Sequence, residues 1–235
     1  MSAQARKAET DFDPRDSAAY SVAEAARYLK LPVATLRSWV AGRSYPKAQG
    51  VARFQPLITP RQKQPPLLSF WNLVEAHVLK ALRTNHAVSL GDVRKAIRYA
   101  EKNLNIERLL LDKQLKTGAG QLFLERYGEL IDLSASGQLA MRKVFEKHLQ
   151  RIEWGELPHP IRLYPFVSGI VDSSKMSIVI DARIAFGRPV IARKAVSTLA
   201  IAERVDAGES PEDLAEDYGL DISEIEQAVI YERAA

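Results

Sequence analysis

The sequence contains no cysteine, which excludes disulfide bonds, thiolate metal sites and cysteine nucleophiles. It lacks an apolar run of about 18 residues, the length that a membrane-spanning helix needs, and its polar N-terminus lacks the apolar core of a signal peptide. No glycine-rich phosphate loop or nucleophile elbow occurs, and the four histidines do not have metal-ligand spacing. We therefore expect a cytoplasmic protein that makes no use of a membrane, a cofactor or a catalytic site.

What the sequence does contain is an uneven distribution of charge. Residues 203–235 hold eleven acidic and two basic side chains, a net charge of −9, and because the whole chain carries +4, residues 1–202 carry +13. A basic surface attracts phosphates and an acidic surface repels them. We therefore assign the basic part to nucleic acid and the acidic end to a protein partner. The enzymatic alternative for the same carboxylates is an acidic, metal-dependent nuclease site.

The apolar periodicity predicts an α+β, mainly α fold. We expect a flexible tail over residues 1–18, a winged helix-turn-helix over 19–103, a strand-rich α/β middle segment over 104–176, and a small acidic helical domain over 177–235. In the middle segment we expect a helix over residues 138–149, a hairpin turn at Tyr127 and Gly128, and strands over residues 109–112, 121–125, 129–133 and 161–166. These strands can pair within one chain or across a dimer.

A capping box marks the start of the helix-turn-helix. Ser21 is followed three residues later by Glu24, and the apolar spacing after it predicts a short first helix. A second helix is expected from Val33 to Val40, with Val33, Leu36 and Val40 facing inward and Gly42 ending it in a left-handed conformation. Two short helices joined by a tight turn are typical of a helix-turn-helix.

Five prolines between residues 43 and 66 favour an extended wing over a helix. We expect strands over residues 51–58 and 67–70, with the tip of the wing at 59–64. Ser69 is expected to cap a helix that reaches Arg83, and Ser89 with Asp92 to open another.

The candidate DNA-binding residues are the polar side chains at the start of the second helix and the cations of the wing. A single exposed cation is usually only solvated, but a group beside a recognition helix is typical of a DNA-binding surface. The set is Thr35, Arg37, Ser38, Arg43, Lys47, Arg53, Arg61 and Lys63.

A second helix-turn-helix-like pattern covers residues 210–232, where Ser210 and Pro211 supply a helix start. Its outward residues are mostly acidic, so dimerisation or docking to a basic partner is favoured over DNA binding. The candidate partner-binding residues are Glu212, Asp213, Glu216, Asp217 and Glu224.

Two stretches resemble known families. Residues 20–40, with Thr35, Leu36 and Arg37 shortly before Trp39, resemble the DNA-binding domain of MerR-type regulators. Residues 180–231, with Phe-Gly-Arg-Pro-Val-Ile at 186–191, resemble a small bacterial domain of formerly unknown function that is common in antitoxins encoded beside PIN-type ribonuclease toxins.

The combination is similar to the larger VapB-type antitoxins. That resemblance implies the antitoxin of a type II toxin–antitoxin system, a homodimer that binds its PIN-type ribonuclease toxin, suppresses the nuclease and represses its own operon by binding operator DNA. The alternative is a stand-alone MerR-like transcriptional regulator whose middle segment binds a small ligand.

Overall fold

The computed structural model of the chain describes residues 13–47, 50–83, 90–130, 134–156, 158–166 and 176–234. Most of the predicted tail (1–12), the predicted cap Ser89 and residues 131–133 lie outside them. The helices are α1 (Val22–Leu29), α2 (Val33–Ala41), α3 (Phe70–Arg83), α4 (Leu90–Leu104), α5 (Gly118–Leu130), α6 (Ala135–Gln150), α7 (Thr198–Asp206), α8 (Pro211–Tyr218) and α9 (Ile222–Arg233). The prediction of an α+β, mainly α fold with an N-terminal helix-turn-helix is confirmed.

Short antiparallel strands join the helices. They are β1 (Tyr20–Ser21), β2 (Arg43–Lys47), β3 (Gly50–Phe54), β4 (Gln62–Lys63), β5 (Pro66–Leu68), β6 (Ile152–Trp154), β7 (Pro160–Leu163), β8 (Ile178–Val179), β9 (Val190–Ile191) and β10 (Val196–Ser197). β5 lies between β1 and β4, and β9 lies between β8 and β10, while β2–β3 and β6–β7 form separate hairpins. A bridge from Leu163 to Ile180 links β7 to the end of β8.

The described residues form two apolar cores. The larger runs from the helix-turn-helix into the middle segment and includes the buried side chains of Trp39, Phe70 and Phe145. The smaller lies among the C-terminal helices and includes Leu214 and Tyr231. The N-terminal and middle segments therefore stabilise one another, and the C-terminal helices pack around a core of their own.

The end of the predicted flexible tail is ordered, so that prediction is wrong for residues 13–18. Pro14–Asp16 form a 3-10 helix, in which the Asp13 carboxylate accepts a hydrogen bond from the Arg15 amide at 2.9 Å. Arg15 is buried, and its guanidinium lies 5.7 Å from the centre of the Trp71 ring. The local cap and the cation–π contact repay the entropy of ordering that the polar composition alone predicts to be prohibitive.

Most of the strands predicted in the middle segment are wrong. Residues 109–112 contain a 3-10 turn, and residues 121–125 and the described part of 129–133 lie in α5. Phe123 and Tyr127 are fully buried one helical turn apart, so the apolar period is that of a helix. Gly128 is not a hairpin turn: it lies in α5, where a Cβ would meet the Gln138 side chain of α6 at 3.1 Å. The helix over 138–149 is confirmed, and the strand expected over 161–166 is present but spans only Pro160–Leu163.

The predicted wing is in fact two hairpins. β2 pairs with β3, and β4 pairs with β5 around the Gln64–Pro65 turn, so the expected long strand over 51–58 ends at Phe54. Pro56 and Pro60 lack the amide that a strand ladder needs, and the chain between them is irregular. Of the candidate cations, Arg43, Lys47 and Arg53 lie on the first hairpin, Lys63 on the second, and Arg61 directly before it.

Among the described residues, no helix is long and apolar enough to cross a membrane. The same residues contain no group of three or more histidine or acidic side chains arranged to hold a metal ion.

Candidate nucleic-acid interface

The first helix of the pair is built by the predicted capping box. The Glu24 amide donates to the Ser21 hydroxyl at 3.2 Å, and the Ser21 amide donates to the Glu24 carboxylate at 2.9 Å. α1 ends at Lys30, which has a left-handed φ of 52°, and the Leu31 amide closes the turn onto the Ala26 carbonyl at 2.9 Å. Only Lys30, Leu31 and Pro32 separate the two helices, so their relative orientation is tightly determined.

The second helix packs through Leu36, Trp39 and Val40, all of which are buried. Val33, predicted to face inward, is 37% exposed because it occupies the first turn, ahead of the buried stripe. The amides of residues 57 and 58 donate to the Trp39 carbonyl at 2.7 and 3.0 Å. The chain that follows the first hairpin thus caps α2 and holds it against the core.

The three residues predicted on α2 lie together at its N-terminal end. Arg37 is exposed and, within the described residues, has no hydrogen-bond or ion-pair partner. Thr35 and Ser38 are half-buried, and the Ser38 hydroxyl donates to the Thr35 carbonyl at 2.7 Å. Pro32, the residue before α2, makes no side-chain cap. The first turn therefore presents uncapped amides beside an unpaired guanidinium, an arrangement that suits a phosphate or a base edge.

The first hairpin leaves α2 directly. Gly42 has a φ of 74°, a region that favours glycine, and β2 begins at the next residue. In the backbone register Ser44 pairs with Arg53 and Lys47 pairs with Gly50. The fold therefore places the backbone of three predicted DNA-binding cations on a hairpin that leaves the C-terminal end of α2.

The second hairpin is attached to the other end of the helix pair. Its strand β5 pairs with β1, where Leu67 faces Ser21, the residue that caps α1. Lys63 is exposed and, among the described residues, unpaired, whereas the Arg61 guanidinium lies 3.6 Å from the Asp16 carboxylate. The two predicted cations of this hairpin thus differ, because one is free and the other is held by the body of the protein.

Behind Arg61 lies an ion-pair network that the sequence did not reveal. Arg108 lies 3.7 Å from Asp16 and 3.0 Å from Glu75, and Asn72 donates to Glu75 at 2.8 Å. Burial raises the pKa of Glu75, although Arg108 and Asn72 act in the opposite direction. The network borders a cleft of about 490 Å³ at the base of the second hairpin. Because its members are far apart in sequence, no local spacing indicates it.

The predicted acidic residues divide into two groups. Glu212, Asp213 and Glu216 are exposed on α8, although Asp213 also serves the cap of that helix, where it accepts from Ser210. Asp217 and Glu224 are held within the protein: Asp217 lies 2.6 Å from Arg204, and Glu224 lies 2.6 Å from Arg193. The Glu224 carboxylate also accepts from the Asp221 amide at 2.9 Å.

The C-terminal domain packs onto the first helix of the helix-turn-helix. The Tyr231 hydroxyl donates to the Tyr28 carbonyl at 2.8 Å, and the Lys30 ammonium lies 4.0 Å from the centre of the Tyr231 ring. A second contact joins Tyr20 to the Gly187 carbonyl at 3.0 Å. These contacts span 203 and 167 residues of sequence, so local sequence patterns could not reveal them.

Comparison with known families matches both ends of the chain. Residues 18–97 match a family described as "Putative DNA-binding HTH domain", and residues 178–231 match "Protein of unknown function (DUF433)". These matches confirm the predicted helix-turn-helix and the resemblance of the C-terminal region to a small domain of unknown function.

Two curated relatives from Mycobacterium tuberculosis are similar over most of their length. "Putative antitoxin VapB45" is 29% identical over 89% of this chain and 92% of its own. "Uncharacterized protein Rv2308" is 27% identical over 92% of this chain and 90% of its own. A crystal structure of Rv2018 from the same organism covers 93% of this chain and 99% of its own, with 24% identity and a TM-score of 0.66. The fold is therefore one that is known from experiment.

Proposed function

We propose that this chain is the antitoxin of a type II toxin–antitoxin system. In this proposal it binds and neutralises a PIN-type ribonuclease toxin and represses its own operon by binding operator DNA as a homodimer. The observation that carries the proposal is the similarity to "Putative antitoxin VapB45" over nearly the whole of both chains, together with the match to a DNA-binding helix-turn-helix domain.

The DNA-binding role is assigned to the exposed end of α2. Arg37 is the best candidate for a base or phosphate contact because it is exposed and unpaired within the described part of the chain. The hairpins on either side of the helix pair supply further cations, in the manner of the wings of MerR-like domains. A two-fold dimer would present two such helices to half-sites one or more helical turns, about 34 Å each, apart.

The toxin-binding role is assigned to the exposed acidic face of α8. A ribonuclease attracts RNA, so the rim of its active site is expected to be partly basic, and Glu212, Asp213 and Glu216 are available to such a surface. Asp217 and Glu224 already pair with Arg204 and Arg193 of the same chain, so we assign them a smaller part in toxin binding.

The test is co-expression with the product of the adjacent gene, followed by affinity purification and a gel-shift assay with the DNA upstream of the operon. Glu212→Lys combined with Glu216→Lys is expected to release the co-purified protein and to leave DNA binding intact. The matched control is Glu107→Lys with Glu146→Lys, which reverses two exposed carboxylates outside the C-terminal domain. Deletion of the domain is a poor test because Tyr231 is part of the contact with α1.

Capture of a nuclease by the native chain but not by the α8 variant supports the proposal. DNA binding without any co-purified protein would replace it by the stand-alone regulator, an alternative that the similarity to an antitoxin does not favour.

A further inference from the structure

A short loop of the C-terminal domain exposes a large apolar side chain at a cost in backbone energy. Phe186 is 91% exposed. Ala185, Phe186 and Gly187 have φ angles of 48°, 56° and 75°. These angles lie in the left-handed region, which disfavours residues other than glycine. Because the ring is exposed, its burial within the chain does not offset the energy of the strained backbone. Strain of this kind is often found where a side chain contacts a partner.

Hydrogen bonds and close packing hold the loop against Tyr20. The Gly187 amide donates to the Ile184 carbonyl at 2.9 Å, and the Gly187 carbonyl accepts from the buried Tyr20 hydroxyl at 3.0 Å. A Cβ on Gly187 would lie 1.9 Å from the Tyr20 oxygen, so the close approach requires glycine. Asp181 anchors the start of the loop, since its carboxylate accepts from the Arg183 amide at 2.9 Å and from the Arg162 guanidinium at 3.0 Å.

The anchor places the loop beside the helix-turn-helix. Tyr20 lies in β1, immediately before α1, and pairs with Leu68 of β5, the strand that carries the second hairpin and Lys63. In helix-turn-helix proteins the first helix crosses the DNA backbone while the second enters the major groove. The loop therefore borders the N-terminal end of α1, the helix that is expected to cross the DNA backbone.

Its charge also fits DNA. Residues 182–202 contain four cationic side chains and no acidic one, whereas the acidic excess of the domain begins at Glu203. Arg183 and Arg188 flank Phe186, are exposed, and form no ion pair or side-chain hydrogen bond with any described residue. The charge of Arg188 helps to lower the pKa of the Glu24 carboxyl, but that carboxylate already accepts a hydrogen bond from the Ser21 amide.

We propose that the loop of residues 183–188 is a further DNA-contacting element, in which Phe186 meets the minor groove beside the recognition-helix site and Arg183 and Arg188 contact phosphates. Proteins that bind the minor groove combine apolar wedges with arginines in this way. The proposal rests on the proposed DNA-binding function and extends it, since it assigns a part of the DNA contact to the C-terminal domain.

The test uses the full chain and two probes, the DNA directly upstream of its own gene and duplexes selected from a random-sequence pool. Phe186→Ala is expected to weaken binding about tenfold, equivalent to about 1.4 kcal/mol, and to shorten the hydroxyl-radical footprint at its edge. The matched control is Ile222→Ala, which truncates a 43% exposed side chain on the acidic α9 and is expected to change neither result. Arg183→Gln with Arg188→Gln is expected to lower the salt slope by about two.

Three outcomes separate this inference from the proposed function. If Arg37→Ala weakens binding while the loop variants keep full affinity and the full footprint, the loop proposal is wrong and DNA binding by α2 stands. If Phe186→Ala instead loses the co-purified adjacent gene product and keeps DNA affinity, the loop is a protein-docking site and the inference is overturned. If the native chain binds neither probe, the proposed DNA-binding function fails together with it.

Discussion

Two helix pairs in this chain share one local design. α1 begins at the Ser21–Glu24 capping box and turns into α2 through the left-handed Lys30, and α8 turns into α9 through the left-handed Gly219. α9 begins at a capping box of Asp221 and Glu224. The backbone signals of a helix-turn-helix are therefore present twice.

The two helix pairs differ in the sign of their exposed charges and in whether charged side chains have partners within the chain. On α2 the Arg37 guanidinium is exposed and unpaired within the described residues. On α9 the residue at the position of Arg37 is Glu226, which is also exposed. Glu224, near the start of the same helix, pairs with Arg193, and Asp217 on α8 pairs with Arg204. One backbone design thus carries surfaces of opposite charge, and that difference is the reason why DNA is proposed as the partner of one pair and a protein as the partner of the other.

The largest expected change in stability comes from removing the contact between the two helix pairs. Tyr231→Ala removes a fully buried ring between α9 and α1 and is expected to lower the free energy of unfolding by about 3 to 5 kcal/mol. Urea unfolding followed by circular dichroism measures it. Tyr231→Phe, which keeps the ring and loses only the bond to the Tyr28 carbonyl, should cost about 1 kcal/mol. Native stability in the alanine variant would show that the contact does not hold the domain in place.

The larger core and the acidic C-terminal domain are expected to lose stability in different pH ranges. Burial lowers the pKa of His148 in the larger core to about 4, against about 6.5 in the unfolded chain. The unfolded chain therefore takes up the proton first, and the free energy of unfolding is expected to fall by about 3 kcal/mol between pH 6.5 and 4. Guanidinium unfolding at several pH values measures this, and His148→Gln should reduce the slope in that window without abolishing it, because burial also lowers the pKa of the neighbouring His77. An unchanged slope would contradict the assignment.

The acidic domain is expected to respond at lower pH. Although burial acts in the opposite direction, the Arg193 guanidinium and the Asp221 amide hold the pKa of the Glu224 carboxyl below its usual value. Its contribution to stability is therefore complete above about pH 4.5 and is lost as the pH falls through the lowered pKa.

A third prediction tests the charge on the exposed helix. Arg37→Ala should weaken DNA binding by about 1 to 3 kcal/mol if the guanidinium contacts a base, because that contact forms only in the complex. A gel-shift titration at fixed salt measures it. Arg126→Ala is the control, since Arg126 lies on α5 and pairs with Glu129 at 2.9 Å. Equal affinity of the two variants would place the DNA on another face.

The smallest expected effect is at the second hairpin. Lys63→Ala should reduce the slope of log affinity against log salt by about 1 and change affinity little at high salt, because a phosphate contact releases counterions without reading sequence. The control is Lys95→Ala, an exposed lysine that already pairs with Asp92 at 3.0 Å. A slope equal to that of the control would remove Lys63 from the DNA-binding surface.

Helix starts were predictable because their signals are local. The Ser21–Glu24 box and the caps at Ser69 and Ser210 act within three residues of sequence, and α1, α3 and α8 begin where these signals predict. The strand expected over residues 121–125 was wrong because the apolar side chains in and just after it, Phe123 and Tyr127, recur with the period of a helix. Gly128 suggested a turn, but it allows α6 to pack closely on α5, and a Cβ on Gly120 would lie 1.9 Å from the carbonyl oxygen of Leu115, which precedes α5.

The capped helices, the mainly α fold and the separation of positive from negative charge follow from the order of the amino acids. Which of those charges have a partner within the chain depends on the folded structure, because the partners of Asp217 and Glu224 lie 13 and 31 residues away in sequence. The folded structure also decided that the acidic domain packs on α1 and that Phe186 is exposed. Caps depend on neighbours along the chain, whereas ion pairing and burial depend on neighbours in space, which only the complete fold brings together.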